Sequence, residues 1–527
     1  MEIHETYSEA EQRFDRWRRR VGLYAGPLVG LLVYFLPMPI SDPAHRLAAL
    51  MIGMVIYWIT EPIPLAVTAL LGPILAILFG IGKNKDVIAS FGNPVLFLFI
   101  GSFMIARAME KHRLDRRLAF WLLSYPTVSK SPQRIVFTLG AITAVLSMWI
   151  SNTAATAMLF PIALGVLGSI IPTSDPGKGD SPLGNRAGFA TGVMLMIGFS
   201  ASVGGIATPI GTPPNLIGIG MLEKEMGYKI SFVQWMQFGL PICVAMYLVL
   251  YLLLARLFPP RGLKTSGVAA FIGEQRRRLG GWTPGEKNSL IVFSTAVFLW
   301  VLPGLLGLVF DPKGEVLTLY NERLPEGGIA ILAASLLFFL PVNRAAGEFT
   351  LSWDDATAID WGTILLFGGG LAMGDLMFKT GLSSAIGDAL LSLLQIKSLW
   401  GITGLSIALA IVISELSSNT AAANMVIPVV IAIATASGVN PLPPRPRRHA
   451  GGQFRIHAPH LHPTQRHRLR LRADPHPIDD PRGDRLRSDR VLYHLGRIMA
   501  ALSAAFLMEA RGERDEGFFS SAGLGYP

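Results

Sequence analysis

The sequence predicts an all-α polytopic membrane protein, and three observations predict it. The 527-residue chain is 51% hydrophobic and only 16% charged, where soluble proteins average about 25% charged. Apolar runs such as Leu28–Leu36, Leu65–Leu78, Phe232–Leu257 and Leu290–Val309 suffice, alone or with their flanks, to cross a hydrocarbon core about 30 Å thick. About ten or eleven such segments can be drawn, some broken by Gly or Pro. Finally, Ser151-Asn152-Thr153 returns as Ser418-Asn419-Thr420, first within SNTAATAMLFPI and then within SNTAAANMVIPV. Small hydroxyl and amide side chains are costly in hydrocarbon unless they face a cavity, a ligand or another helix. The same cluster twice, half a chain apart, points to a site between two related halves, as in transporters.

In chain order, residues 1–20 form a polar, charged segment ending in Arg16 and Arg18-Arg19-Arg20. The positive-inside rule places these arginines, and the N-terminus, in the cytoplasm. The following apolar run is as long as a membrane span, unlike the core of a cleaved signal peptide. A first half then covers 21–257. Within it, 134–164 is longer than one span and interrupted midway, which predicts a re-entrant helical hairpin with Ser151-Asn152-Thr153 at its tip. SASVGGIATPIGTPPN (200–215) predicts a broken transmembrane helix. Pro213-Pro214 cannot continue a helix, and Gly204, Gly205 and Gly211 permit close backbone approach. Freed carbonyls with Ser and Asn oxygens suit a small hard cation. Half-helix N-termini with Asn or Thr donors suit a carboxylate or sulfate.

A basic, Gly- and Pro-rich stretch, 258–287, predicts a cytoplasmic connector. The second half, 288–444, repeats features of the first. FLFIGSFMIARAMEKHRL (97–114) corresponds to LLFGGGLAMGDLMFKTGL (365–382); Gly101 precedes Ser151 by 50 residues and Gly369 precedes Ser418 by 49. A second interrupted stretch, 399–434, predicts the second hairpin. An odd number of crossings between the halves would make them inverted repeats.

Other chemistries are excluded. The single Cys243 rules out an internal disulfide framework and argues against a thiolate metal site. There is no Ser/His/Asp constellation, metal-spaced His cluster or phosphate loop, so the chain is not read as an enzyme with a cofactor. Basic runs beside membrane spans do not indicate nucleic acid. Among ionisable residues at membrane depth, Asp375 and Glu415 are candidates for proton coupling, with Glu415 expected to pair within its hairpin. Arg107, Glu110 and Lys111 are expected near a helix end.

These residues carry a resemblance. The chain resembles the divalent anion:sodium symporter family through Ser151-Asn152-Thr153, Gly211-Thr212-Pro213-Pro214-Asn215 and Ser418-Asn419-Thr420, and through TEPIPLAVTALL (60–71), LLFGGGLAMG (365–374) and SELSSNTAAAN (414–424). The resemblance covers about residues 20–444. It implies two coupling sodium ions, one shaped by Ser147, Ser151, Asn152 and Gly211, the other by Ser414, Ser418 and Asn419. It implies a divalent carboxylate between the hairpin tips, touching Asn152, Thr153, Thr212, Pro213, Asn419 and Thr420. It further implies a homodimer in the inner or plasma membrane, importing C4-dicarboxylates by elevator-like displacement of a transport part against a scaffold. Sodium-independent exchange and sulfate transport are the family alternatives. A channel, or a structural membrane protein whose polar clusters join helices, is the reading from another class.

From Arg445 the pattern breaks. Residues 445–527 open with an Arg- and His-rich stretch, holding thirteen Arg, five Asp and no Lys up to Arg497. That stretch supplies +8 of the chain's net +10. At face value it is a basic, disordered tail. With permissible codons, however, Arg445 to Arg472 read one base later gives ALGATLAASFGFMLPISTPPNAIVYGSG. A Ser-Thr-Pro-Pro-Asn break then falls at positions 461–465, where the family expects one. The expected cause is a single-base insertion near Pro444.

Overall fold

Out of contact with water, a backbone must satisfy its own hydrogen bonds, and an α-helix does so within one segment. The computed structural model accordingly consists almost entirely of helices; it describes residues 9–172, 182–311, 314–395 and 399–437. The chain divides into two units, 1–443 and 444–527. The second unit, with the expected frame change, lies outside the described residues.

The first half runs α1 (Glu9–Phe35), α2 (Asp42–Thr60), α3 (Leu65–Leu78), α4 (Asn84–Ile88), α5 (Pro94–Lys111), α6 (Leu114–Leu123), α7 (Pro132–Ser147), α8 (Asn152–Ser169), α9 (Pro182–Gly205), α10 (Pro213–Met226) and α11 (Phe232–Leu257). α12 (Val268–Leu279) occupies the basic connector. The second half runs α13 (Pro284–Val309), α14 (Glu315–Arg323), α15 (Glu326–Leu336), α16 (Trp353–Thr357), α17 (Trp361–Thr380), α18 (Leu382–Leu394), α19 (Leu399–Leu416) and α20 (Asn419–Ala436). Short antiparallel ribbons pair β1 (Ile171–Pro172) with β2 (Leu263–Lys264), and β3 (Pro341–Asn343) with β4 (Glu348–Phe349).

Among the described residues, eight helical segments are long and apolar enough to cross a membrane, fewer than the runs in the sequence suggest. The difference lies in short helices. α3 has 14 residues and α15 has 11; at 1.5 Å per residue these reach about 21 and 17 Å, short of a ~30 Å core. The connector is also more than a linker. Val268 and Ile272 of α12 are buried. Arg117 of α6 donates to the carbonyls of Leu279, Gly280 and Gly281 and pairs with Glu286 at 2.6 Å.

The two halves exchange partners. α5 packs on α15, and α17 packs on α3. A Cβ on Gly101 of α5 would fall 2.4 Å from the Ala330 carbonyl carbon, and one on Gly369 of α17 only 2.1 Å from the Ala69 carbonyl oxygen. Ala69 and Ala330 each lie five residues after the proline that caps its helix, Pro64 and Pro325. The glycines matched by spacing therefore play one role, each receiving a backbone from the other half. Small residues permit such contact, and in lipid close packing is a main source of helix association.

The run Gly368-Gly369-Gly370 serves three neighbours at once. Without side chains, these positions admit Phe91, Ala69 and Asn424 respectively. α17 is consequently the most enclosed of the span-length helices, buried without a break from Leu366 to Met377.

Candidate functional site

Both tripeptides start a helix. Ser151 and Ser418 have extended backbones and cap α8 and α20, their hydroxyls accepting from Ala154 N and Ala421 N at 3.2 Å. This is N-cap geometry, in which a serine oxygen satisfies an otherwise orphaned amide. Each cap follows directly on the preceding arm, α7 or α19, so the polar residues sit at the junction of two packed helices. The sequence pattern and the helix boundaries agree here: SNT is where one helix stops and the next begins.

In the first half, this junction meets the helix break. α9 ends at Gly205 and α10 begins at Pro213, so the break itself is shorter than 200–215. Thr212 is extended and precedes the two prolines at the first positions of α10, where their missing N–H groups have no helical partner to lose. The Asn215 amide donates to the carbonyls of Gly205 and Thr208, both at 2.8 Å. Thr208 in turn donates its hydroxyl to the Met148 carbonyl at the hairpin junction. Break and hairpin are thus joined through Asn215 and Thr208.

Four of the expected residues converge there. Ser147 Oγ donates to Asn152 Oδ1 at 2.7 Å. The position a Gly205 Cβ would take is 2.7 Å from Asn152 Oδ1 and 3.3 Å from both the Gly211 carbonyl oxygen and Thr212 Cβ. The corresponding position at Gly211 is 2.6 Å from the Gly205 carbonyl oxygen. Ser147, Asn152, Gly211 and Thr212 therefore share one small, oxygen-lined cradle that any side chain at 205 or 211 would fill. Hard cations prefer such oxygen ligands. Pro213 starts α10 beside it, while Thr153 is exposed.

The second half is not equivalent. Ser414 Oγ donates to the Ile411 carbonyl at 3.0 Å, whereas its counterpart Ser147 engages an asparagine. Asn419 is exposed and Thr420 half-buried. The expected partner break, near 461–465, lies outside the described residues. α10 links the two halves: it packs on α20, with Gly218 near Ile427, and Met221 and Pro428 converge on Gly374 of α17.

Of the two ionisable candidates, Asp375 is 6% exposed and lies 3.3 Å from Lys224 Nζ and 2.9 Å from Lys379 Nζ. Lys224 also donates to Ser90 Oγ at 2.7 Å. Asp375 is thus an ion-paired tie between α10 and α17. Glu415, expected to be paired, is exposed and has no hydrogen bond or ion pair among the described residues. The structure adds Asn215 as organiser of the break and Asn424 as a buried amide. Asn424 is 2% exposed, donates to the Thr420 carbonyl at 3.1 Å, and leaves Oδ1 without a partner among the described residues. Its signal is present in SSNTAAAN, as a second Asn on the same apolar helix.

Residues 17–443 match the family described as the sodium:sulfate symporter transmembrane region. The sodium-dependent dicarboxylate transporter SdcS of Staphylococcus saprophyticus is 33% identical over 431 residues, which are 80% of this chain and 79% of that protein. SdcS of Staphylococcus aureus is 31% identical over the same shares. The family match ends at residue 443, beside the point where the sequence turns basic. Both tripeptide hairpins and the Gly-Pro break fall inside the matched stretch, and the chain belongs to the sodium:sulfate symporter family of membrane transporters, the divalent anion:sodium symporters.

Proposed function

We propose that the chain is built as a sodium-coupled symporter of divalent organic anions, with C4-dicarboxylates such as succinate, malate and fumarate as its substrates. The observation that carries this reading is the cradle where Asn152 Oδ1 and the Gly205 and Gly211 carbonyls converge. In this reading Ser147, Ser151, Asn152 and Gly211 hold one sodium ion, and Ser414, Ser418 and Asn419 contribute to a second. A carboxylate lies between the tips against Asn152, Thr153, Thr212, Pro213, Asn419 and Thr420, drawn by amide and hydroxyl donors and by the starts of α8, α10 and α20. Bound cations neutralise the anion at membrane depth, which couples the two species energetically. The dicarboxylate named for the SdcS relatives favours carboxylate over sulfate.

The sodium named for the SdcS relatives favours sodium over proton coupling. In this reading the N-terminal segment and connector 258–287 face the cytoplasm, and the halves are 21–257 and 288–444. The working unit is a homodimer in the inner or plasma membrane, in which a transport part moves elevator-fashion against a scaffold. The interlocked pairs α5–α15 and α3–α17 are suited to the static part. The altered tail from 445 removes the second break, so the frame-restored protein is the competent form.

Uptake of labelled succinate into vesicles bearing the frame-restored protein tests this. Saturable uptake that requires an inward sodium gradient, and that Asn152→Ala lowers at least about tenfold, is expected. Uptake indifferent to sodium but dependent on an internal dicarboxylate would overturn the coupling and indicate exchange. Non-saturable flux would indicate a channel.

A further inference from the structure

A groove with one charged end lies away from the tripeptides. α1 and α2 approach backbone to backbone: a Cβ on Gly30 would fall 2.9 Å from the Ala49 carbonyl oxygen, and one on Gly53 would fall 3.2 Å from that of Gly26. α3 packs on α2 as well. A cavity of about 630 Å³ is lined by all three helices, within the ~300–1,000 Å³ of sites that hold a small molecule. Leu31, Leu50, Met54, Leu71 and Leu75 make it predominantly apolar. Along α2 it extends from Arg46 to Tyr57, about 16 Å of helical rise, or roughly half of a ~30 Å hydrocarbon core.

Arg46 closes one end. Its Nη2 pairs with Asp42 Oδ2 at 2.7 Å, and its Nη1 donates to the Phe79 carbonyl at 3.3 Å. Its Nε is shielded from water and has no acceptor among the described residues. The Arg46 side chain as a whole is 40% exposed, so its positive charge stays open to an oxygen at the mouth of the groove. Asp42, 69% exposed, retains lone pairs for a cation. The mouth therefore presents one positive and one negative group beside an apolar channel one leaflet deep.

We propose that this groove binds a phospholipid of the phosphatidylethanolamine type. One acyl chain lies along α2 between α1 and α3, a phosphate oxygen faces the exposed part of the Arg46 guanidinium, and the headgroup ammonium faces Asp42. The balanced Arg46–Asp42 pair favours this zwitterion over an anionic headgroup, which would meet Asp42 with like charge.

Native mass spectrometry of the full chain in detergent tests it, with phosphatidylethanolamine and phosphatidylglycerol of equal acyl composition as probes. One phosphatidylethanolamine per chain is expected, held more tightly than phosphatidylglycerol. Arg46→Gln should weaken it about tenfold, the effect of one charge-assisted hydrogen bond, and Leu75→Trp should exclude it by filling the groove. Equal retention by wild type and Leu75→Trp overturns the proposal even if Arg46→Gln does not fold, as does a preference for phosphatidylglycerol. A Leu31→Cys variant examines a second copy of the chain as occupant, since Cys243 is buried. Disulfide-linked dimers of that variant would likewise overturn the lipid assignment.

Discussion

Two carboxylates outside the spans respond to pH in opposite directions. Burial of Asp115 in α6 pushes its carboxyl up to about 6; Glu110 adds to this, while the Arg116 amide and charge oppose it. Its folded value lies above the unfolded 3.8, so its contribution to stability is full below about pH 4 and is lost as pH rises through 6. Asp115→Asn should therefore stabilise the protein at pH 8, by on the order of 2 kcal/mol, with the gain vanishing in acid. For Asp355 burial also acts upward, but the Lys111 ammonium at 2.6 Å and the Ser352 donors outweigh it and hold the carboxyl at about 2. Its contribution is present above about pH 4 and is lost as pH falls through 2. Asp355→Asn should cost about 1 kcal/mol at neutral pH, limited by water screening, and progressively less in acid. Thermal unfolding of both variants across pH measures the two slopes, and parallel slopes would contradict these assignments.

At the scale of elements, glycine seats decide which helices can meet. Gly369→Ala would set a methyl 2.1 Å from the Ala69 carbonyl oxygen, whereas Gly374→Ala finds its nearest atoms at ordinary contact, 3.6 and 3.7 Å. Gly369→Ala should cost about 1–3 kcal/mol, as overpacked sites do, and Gly374→Ala should be near neutral in a detergent-based melting assay. These elements also show what a reader of the sequence can and cannot see. Polar residues in apolar runs announce themselves, so Ser151-Asn152-Thr153, Ser418-Asn419-Thr420 and Pro213-Pro214 marked helix junctions in advance. The near-equal spacing of Gly101 and Gly369 from their tripeptides likewise pointed to duplication. Which backbone each glycine receives was not legible, because Ala330 and Ala69 are ordinary alanines and their contacts join distant stretches. Thr208 looked like any membrane threonine until its bond to Met148 placed it between hairpin and break. The ion pair of Asp375 was not legible either, because its partner Lys224 lies on another helix.

For the whole molecule, the expected frame change separates a matched body from an unmatched end. We propose that the chain as written loses the second break and that restoring the frame restores transport. Sodium-driven succinate uptake should be at background for the literal chain and clearly above it for the restored one; equal rates would refute the frame change as the cause. The exchange of helices between halves adds a consequence for how the protein is made. About 300 residues separate Ala69 from Gly369, so at ~5–20 residues per second α3 leaves the ribosome on the order of 15–60 s before its seat exists. During synthesis the seat at Gly101 stays vacant until α15 arrives, and α3 stays uncovered, open to lipid or to a neighbouring nascent chain, until α17 follows. Both glycine seats are translated before codon 444, so the interlocked pairs can form whichever frame the ribosome follows afterwards.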